Sequence, residues 1–246
     1  MLKDVFQGLL DLVYPKICLL CRGNILPGGQ DDVLCPACQE GLARNRPPFC
    51  RKCSRPLPDP DELFCDHCRQ TDLAFDRVWA ATIYDPAVRR LIHLFKYADK
   101  TALRRPFSRL MLDFIERFGI PAGRFDLMMP VPLHHARLRE RGYNQARLLA
   151  EAVAGPLGLR MVPDGLARRR HTRNQARLRP KERWTNLDEA FKITQPGLVN
   201  NKRVMIVDDL MTSGATLSGI ARVLKRAGAR EVSAVTLAMT AHPRDD

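Results

Sequence analysis

Hydrophobic and polar positions alternate between patterns typical of strands and patterns typical of helices over most of the chain. An apolar run at residues 77–84 predicts a strand, and Pro86 then opens a helix that extends to residue 97 with its apolar residues on one face. The same pattern predicts further elements in the order helix, strand, helix, at about 102–118, 126–132 and 144–155. An alternation of this kind is typical of an α/β domain.

The clearest unit comes last in the chain. A continuous apolar strand at 203–207 is followed by a helix at 213–227 and a second strand at 231–238. A strand–helix–strand unit predicts a mainly parallel sheet flanked by helices, and ligands of such sheets bind outside the carboxyl ends of the strands. We therefore expect an α/β domain over residues 71–246. A smaller unit over residues 1–70 precedes it, and residues 69–76 are interpreted as a linker.

The N-terminal segment predicts a short amphipathic helix rather than a secretory signal. Asp4 and Asp11 interrupt its apolar stretch, which is unusual in a signal sequence. The residues on its apolar face are Val5, Leu9, Leu12 and Val13. Nowhere does the chain approach the roughly 18 uninterrupted apolar residues of a membrane helix. We expect a cytoplasmic protein with no membrane span.

All eight cysteines lie in the smaller unit, as four Cys-x-x-Cys pairs separated by 13, 11 and 11 residues. The pairs are Cys18/Cys21, Cys35/Cys38, Cys50/Cys53 and Cys65/Cys68. Four tandem pairs without a thioredoxin-like unit favour metal over redox chemistry, and two pairs supply the four thiolates of one tetrahedral Zn²⁺. We predict two structural zinc ions, which also provide folding energy to a unit that hardly buries a core. Iron–sulfur clusters are the alternative.

The pairing of these motifs is open to two interpretations. Sequential pairing gives two zinc ribbons, whereas interleaved pairing gives a cross-braced module. Sequential pairing is favoured because it closes shorter loops at a lower entropic cost. His67, which lies between Cys65 and Cys68, is interpreted as an exposed loop residue because four thiolates already fill each site.

The loop within the last strand–helix–strand unit carries the most specific chemistry. It reads VMIVDDLMTSGATL at residues 204–217, so two acids follow the strand and small hydroxyl residues around a glycine precede the helix. Backbone N–H groups, hydroxyls and the helix N-terminus in such a loop favour a phosphate. The acids suit neutral hydroxyls such as those of a ribose, or waters around Mg²⁺. The alternative is an ordinary capped helix beside a solvated turn.

Positions 204–216 resemble the phosphoribosyl pyrophosphate (PRPP) loop of type I phosphoribosyltransferases. The resemblance implies that Asp208 and Asp209 are the catalytic residues and hold the ribose 2′ and 3′ hydroxyls. It also implies a 5′-phosphate site formed by Thr212, Ser213, Gly214, Ala215 and Thr216. Some purine-salvage members carry a basic aspartate at the position of Thr212. Because threonine cannot deprotonate an acceptor at neutral pH, an acceptor that needs no strong base, or no transfer at all, fits better.

The middle of the chain is strongly basic. Residues 133–183 hold 13 Lys and Arg against 4 acids, a net +9 out of +13 for the whole chain. The strand end at residues 130–133 and the residues that follow it to 142 occupy the place of the pyrophosphate loop in the chain order of a phosphoribosyltransferase, and we predict pyrophosphate-side ligands at Leu133, His134 and Arg141. The arginine run at 168–173 is expected to close over a pyrophosphate or to grip a nucleic-acid backbone. Tyr143 and Trp184 are the candidate stacking residues, with core packing as the alternative.

Together these segments resemble the ComF family of competence-related proteins, which includes GntX-type members. The resemblance covers the cysteine module, residues 91–111, MPVPLHHARLRERGYNQARLLA at 129–150, residues 168–186, and the 204–217 loop. It implies a type I phosphoribosyltransferase-like domain bearing zinc ribbons. It also implies a cytoplasmic role in handling imported single-stranded DNA during natural transformation.

Three functional hypotheses follow. The first is Mg²⁺-dependent transfer of a phosphoribosyl group from PRPP to an unknown acceptor. The second is a non-catalytic competence factor that binds single-stranded DNA through the basic segment and the zinc ribbons, with affinity that falls steeply with salt. The third is a regulator that binds PRPP without turnover. Contacts with the DNA-import machinery are expected only through the family resemblance.

Overall fold

A computed structural model describes residues 16–25, 32–169 and 190–241 of the 246-residue chain. The predicted N-terminal helix, Trp184 and residues 170–173 of the arginine run lie outside these ranges. Within the part of the chain that the structure describes, no helix is both long and apolar enough to cross a membrane.

The centre of the fold is a five-stranded sheet in which every pairing is parallel. Its strands are β1 Arg77–Ile83, β2 Leu127–Pro130, β3 Arg160–Met161, β6 Arg203–Met211 and β7 Glu231–Met239. They lie in the order β1-β7-β6-β2-β3. A separate antiparallel pair, β4 Leu166–Arg168 with β5 Phe191–Ile193, was not predicted from the sequence.

Seven α-helices accompany the strands in the described ranges. They are α1 Pro36–Glu40, α2 Asp66–Gln70, α3 Pro86–Tyr97, α4 Arg104–Arg117, α5 His135–Arg141, α6 Gln145–Ala154 and α7 Ala215–Arg226. Short 3-10 turns cover Thr101–Leu103, Ala122–Arg124 and Pro196–Val199. The predicted helix at 102–118 is therefore a 3-10 turn continued by α4.

Side-chain alternation along the strands separates two hydrophobic cores. On one face, residues such as Met205 and Val207 pack with the buried sides of α3, α4 and α6. On the other face, Val204 and Ile206 pack with α7. Because successive strand residues point to opposite faces, the sheet forms the middle layer of a three-layer α/β fold, as the sequence predicts.

Local capping explains where two of the helices begin. The carboxylate of Asp85 accepts a hydrogen bond of 2.8 Å from the backbone N–H of Val88, and Pro86 occupies the first turn of α3. The amide oxygen of Asn144 accepts from Ala146 N–H at 3.0 Å and from Arg147 N–H at 3.4 Å, which fixes the start of α6.

The cysteine-rich unit packs against the outer edge of β1. Residues 43–45 run beside this strand, with Ile83 N–H donating to Ala43 O and Asn45 N–H donating to Ala81 O. Ser54 Oγ also donates to Val78 O at 2.7 Å. These bonds cover a strand edge that would otherwise expose unpaired backbone groups. The boundary near residue 70 remains a prediction.

The connection after the second cysteine group differs from the predicted linker at 69–76. Leu73 and Phe75 are buried, and Ala74 N–H donates to Ser218 Oγ on α7 at 2.9 Å. Asp76 accepts from Lys225 Nζ at 2.9 Å and from Val232 N–H at 2.7 Å. Composition suggested a linker because polar residues separate the apolar ones, but Leu73 and Phe75 are buried and the side chain of Asp76 pairs with distant segments of the fold.

Candidate functional site

Eight sulfur atoms form two clusters in the N-terminal unit. Within each cluster the four sulfurs lie within 4.8 Å of one another. The first cluster is Cys18, Cys21, Cys35 and Cys38, and the second is Cys50, Cys53, Cys65 and Cys68. The predicted sequential pairing is therefore confirmed.

The two clusters share one backbone plan. Cys18 O accepts from Arg22 N–H at 2.9 Å, and Cys50 O accepts from Ser54 N–H at 2.8 Å, so the first pair of each cluster lies on the same kind of turn. The second pair of each cluster lies on a one-turn helix, α1 or α2, that starts directly after Cys35 or Cys65. This repetition is typical of a double zinc ribbon.

The sulfur spacing fits a tetrahedral zinc ion. Zn–S bonds of about 2.3 Å place the sulfurs of a tetrahedron about 3.8 Å apart. Cys21 and Cys35 sulfurs are 3.7 Å apart, and Cys53 and Cys65 sulfurs are 3.6 Å apart. Hydrogen bonding from the Cys53 side chain is the main cause that lowers the pKa of Cys50 to about 6, which favours the metal-binding thiolate. Both clusters fit structural Zn²⁺ with four protein ligands each.

The PRPP-like loop, residues 212–216, connects the carboxyl end of β6 to the first turn of α7. Gly214 has a left-handed backbone with φ of 78°, and a Cβ there would lie 3.3 Å from the Phe75 ring. Thr212, Ser213, Ala215 and Thr216 are half-buried around it. The loop brings all five predicted phosphate ligands to the start of α7, where helix N–H groups favour an anion.

The two acids lie within β6 rather than after it. This strand was predicted to end at residue 207, but its pairing with β7 continues to Met211. Asp208 and Asp209 therefore project to opposite faces of the sheet edge. The prediction of the strand end was wrong because two carboxylates in sequence read as a turn, whereas β7 pairs with the backbone here.

Lys96 on α3 reaches the acids from the face of the sheet that α3, α4 and α6 cover. Its Nζ lies 2.8 Å from Asp209 Oδ2, and the two side chains are 21% and 8% exposed. Burial lowers the pKa of Lys96, but attraction to Asp209 outweighs burial and the net pKa is raised. The lysine therefore stays charged and balances one of the two carboxylates.

Asp208 carries the less compensated charge. Burial raises the pKa of Asp208 to about 8, and repulsion from Asp209 adds to this effect while Lys96 opposes it. Arg168 on β4 also acts on Asp208, because that carboxylate partly offsets the burial that lowers the pKa of Arg168. The acidic pair is enclosed by cations on both faces of the sheet.

The predicted pyrophosphate-side residues follow β2, the neighbour of β6. Pro130 pairs with Val207, and Val131 N–H donates to Val207 O at 2.9 Å. Leu133 is half-buried, and the buried His134 accepts from Ala136 N–H through Nδ1 at 3.3 Å, so that it caps α5. The turn after β2 thus runs beside the acids.

Arg141 and Tyr143 follow at the end of α5. The Arg141 guanidinium lies 4.8 Å from the centre of the Tyr97 ring and donates to Gln145 Oε1 at 2.6 Å. Repulsion from Arg141 acts to lower the pKa of Lys96, so the two cations lie near each other. Tyr143 donates from its hydroxyl to Phe95 O, a contact of core packing rather than of a stacking platform.

Two residues of the second ribbon contact the PRPP-like loop. Arg55 Nη2 donates to Thr212 O at 2.7 Å, and His67 Nε2 lies 2.9 Å from Ser213 O. The interpretation of His67 as an exposed loop residue was wrong, since it is half-buried on α2 against that loop. The spacing of Cys65 and Cys68 predicts a metal site but does not indicate which segment α2 packs against.

Sequence reasoning missed Lys96 and Arg55 as site residues. Lys96 lies in a helix whose apolar periodicity describes its buried face and gives no reason to single out one lysine. Arg55 follows Cys53 by two residues, where an exposed basic side chain is the ordinary expectation. Both act through contacts between residues far apart in sequence.

Two family models match the chain. A double zinc ribbon domain model matches residues 9–69, and a phosphoribosyl transferase domain model matches residues 145–246. Together with the two Cys₄ clusters and the parallel sheet, they define the class: a type I phosphoribosyltransferase-like α/β domain preceded by a Cys-rich zinc-ribbon module.

Full-length relatives identify the family. The chain is 30% identical to DNA utilization protein YhgH of Salmonella typhi over 93% of its own length and 99% of the relative. It is 29% identical to competence protein F of Haemophilus influenzae over 90% of this chain and 96% of the relative. The chain belongs to the ComF/GntX family of competence-related proteins. It also matches the structure of a glutamine PRPP amidotransferase from B. subtilis, at 22% identity over 56% of this chain and 26% of the other, with a TM-score of 0.38.

Proposed function

We propose that this protein binds PRPP together with Mg²⁺ and transfers the phosphoribosyl group to an acceptor. The observation that carries the proposal is the meeting of three features at one sheet edge: the Gly214 loop, the paired acids and a surrounding set of cations. A phosphate, two ribose hydroxyls and a pyrophosphate need these three environments.

The 5′-phosphate is assigned to the loop before α7. Backbone N–H groups of residues 213–216 and the hydroxyls of Thr212, Ser213 and Thr216 donate to its oxygens. The positive end of the α7 dipole adds to this attraction. Gly214 is needed because its left-handed backbone lets the chain turn closely around the anion.

The ribose is assigned to Asp208 and Asp209, which accept hydrogen bonds from its 2′ and 3′ hydroxyls. Two adjacent carboxylates also supply the oxygen ligands that Mg²⁺ prefers, directly or through water. The raised pKa of Asp208 fits this assignment, because a bound cation favours the charged carboxylate that burial and repulsion from Asp209 disfavour. Mg²⁺ supplies charge neutralisation to the pyrophosphate group when bound.

The pyrophosphate is assigned to the turn after β2, with Leu133 and His134 beside it and Arg141 as the guanidinium that grips its oxygens. In the transfer, the bond from the ribose C1 to the pyrophosphate oxygen breaks and a bond from C1 to the acceptor forms, while pyrophosphate leaves with the bonding electrons. Arg141 and Lys96 balance the charge that develops there. Because Thr212 is not a base, an acceptor that needs no deprotonation fits this site.

The biological setting is proposed from the names of relatives, which refer to competence and DNA utilization. A cytoplasmic location agrees with two Cys₄ clusters, whose thiolates must remain reduced. Single-stranded DNA and components of the DNA-import machinery are the proposed partners. Nucleic acid is also proposed as a class of acceptor, because residues 133–183 carry a net charge of +9.

Phosphorus NMR tests the transfer. PRPP and Mg²⁺ incubated with the protein and a mixture of nucleobases, ammonia and single-stranded oligonucleotides should release pyrophosphate in step with one new phosphoribosyl product. The Arg141→Ala variant should lose most of this turnover, whereas Arg139→Ala, an exposed residue on the same helix, should retain it. PRPP binding without any product would support the regulator hypothesis instead. Oligonucleotide binding without PRPP binding would support the non-catalytic DNA-binding hypothesis.

A further inference from the structure

Arg55 connects the second cysteine cluster to the PRPP-like loop. It is only 4% exposed, and its Nη1 lies 3.9 Å from the sulfurs of both Cys53 and Cys65. On its other side, Nη2 donates to Thr212 O at 2.7 Å and Nε donates to Thr240 O at 3.4 Å. A buried guanidinium needs a compensating negative charge, which four metal-bound thiolates supply.

His67 makes the neighbouring contact from α2. A carbonyl oxygen only accepts hydrogen bonds, so the 2.9 Å contact with Ser213 O assigns the proton to His67 Nε2. Nδ1 then faces the hydroxyl of Thr71 at 3.4 Å. Two side chains of one ribbon therefore hold two consecutive carbonyl groups of the loop.

The second ribbon makes these contacts, and the first ribbon lacks the two side chains that make them. The two ribbons share a backbone plan, in which Cys18 N–H donates to Gly23 O and Cys50 N–H donates to Arg55 O. By this register the first ribbon has Gly23 where the second has Arg55. It likewise has Ala37, two residues after Cys35, where the second has His67 two residues after Cys65. Metal binding does not require these two side chains.

The contacts of Arg55 and His67 determine the direction in which N–H groups of the loop point. In a planar trans peptide the C=O and the following N–H point in opposite directions. Drawing Thr212 O and Ser213 O toward the ribbon therefore turns the N–H groups of Ser213 and Gly214 toward the opposite side of the loop. Successive N–H groups aimed at one point form an anion-binding nest.

We propose that the second zinc ribbon positions the phosphate loop, with Arg55 and His67 as positioning residues and the second Cys₄ cluster holding Arg55 in place. This inference rests on the proposed function for its ligand, but the order of the loop is measurable without any ligand. Zinc in the second cluster is then required for an ordered loop, whereas zinc in the first cluster is not.

Hydrogen–deuterium exchange of the ligand-free, zinc-loaded chain tests the role of the side chains. His67→Ala should exchange about five- to tenfold faster in peptides covering residues 208–216, the factor expected for one lost hydrogen bond. His67→Gln, which keeps a donor, should recover much of the protection. The guanidinium of Arg69, on the same helix, pairs with Glu62 and Asp66, so Arg69→Ala should leave exchange in the loop unchanged. Unchanged loop exchange in His67→Ala would overturn the inference.

The metal requirement is tested with paired cluster variants, because Arg55 substitutions risk unfolding the chain. Cys65→Ser/Cys68→Ser and Cys35→Ser/Cys38→Ser should each retain one zinc by elemental analysis. Only the former should show faster exchange at residues 208–216 and an affinity for PRPP with Mg²⁺ reduced about tenfold. Equal loop exchange in both double variants would overturn the inference. If the wild type does not bind PRPP at all, the proposed function fails while the exchange result still decides the positioning role.

Discussion

Replacing Lys96 by methionine removes the ammonium that balances Asp209 and keeps a side chain of similar length. The pair is 2.8 Å apart, and its side chains are 21% and 8% exposed. Removal of one partner from a buried ion pair costs about 3–5 kcal/mol, because the other charge stays buried without compensation. We expect a loss of about 3 kcal/mol in the free energy of unfolding, the lower end of that range, since Lys96 is not fully enclosed.

Urea unfolding followed by circular dichroism at fixed zinc concentration measures this loss. Lys225→Met serves as the control, because its pair with Asp76 is 36% and 41% exposed and should cost about 1 kcal/mol at most. The double variant Lys96→Met/Asp209→Asn should lose about 2 kcal/mol less in the free energy of unfolding than the summed losses of the two single variants. A loss in Lys96→Met no larger than that of the control would refute the argument that this pair is buried and charged.

Three further predictions concern the loop, the acids and the metal sites. Gly214→Ala should cost about 1–2 kcal/mol of stability by thermal unfolding and weaken PRPP binding, because its φ is 78° and the Phe75 ring lies 3.3 Å from the added Cβ; wild-type values for both would show that the close turn is not needed. The affinity for Mg²⁺-PRPP should be about tenfold higher at pH 9 than at pH 7, because Asp208, with a pKa of about 8, loses its proton over this interval. Since that folded-state pKa lies above the unfolded value of 3.8, the same group should make the free energy of unfolding decrease as the pH rises toward 8. A pH-independent affinity would contradict this assignment. Elemental analysis should find two zinc ions per chain, and a thiol reagent should reach all eight cysteines only after chelation; disulfides in the isolated protein would rule this out.

Features encoded by neighbouring residues were predictable from the sequence. The loop at 204–216 carries its acids, hydroxyls and glycine in one run, and each Cys-x-x-Cys pair places two sulfurs on one turn. A continuous apolar run located β1, which is buried on both faces of the sheet, and apolar periodicity located α3, which buries one face. These elements need no knowledge of which segment packs beside them.

Features that depend on contacts between distant segments were not predictable. Lys96 meets Asp209 only because α3 packs over the carboxyl end of β6, and Arg55 meets Thr212 only because the second ribbon lies against β1. The extension of β6 through both acids depends on pairing with β7, which propensity does not report. His67 was misinterpreted for the same reason, since its partner lies 146 positions away in the chain.

Titration calorimetry with PRPP and Mg²⁺ is the most direct test of a phosphoribosyl site at the Asp208–Asp209 edge. The wild-type chain should bind one PRPP in a magnesium-dependent manner, and Asp208→Asn/Asp209→Asn should lose that binding while keeping its two zinc ions and its fold. No binding by the wild type, or unchanged binding by the double variant, would contradict the account.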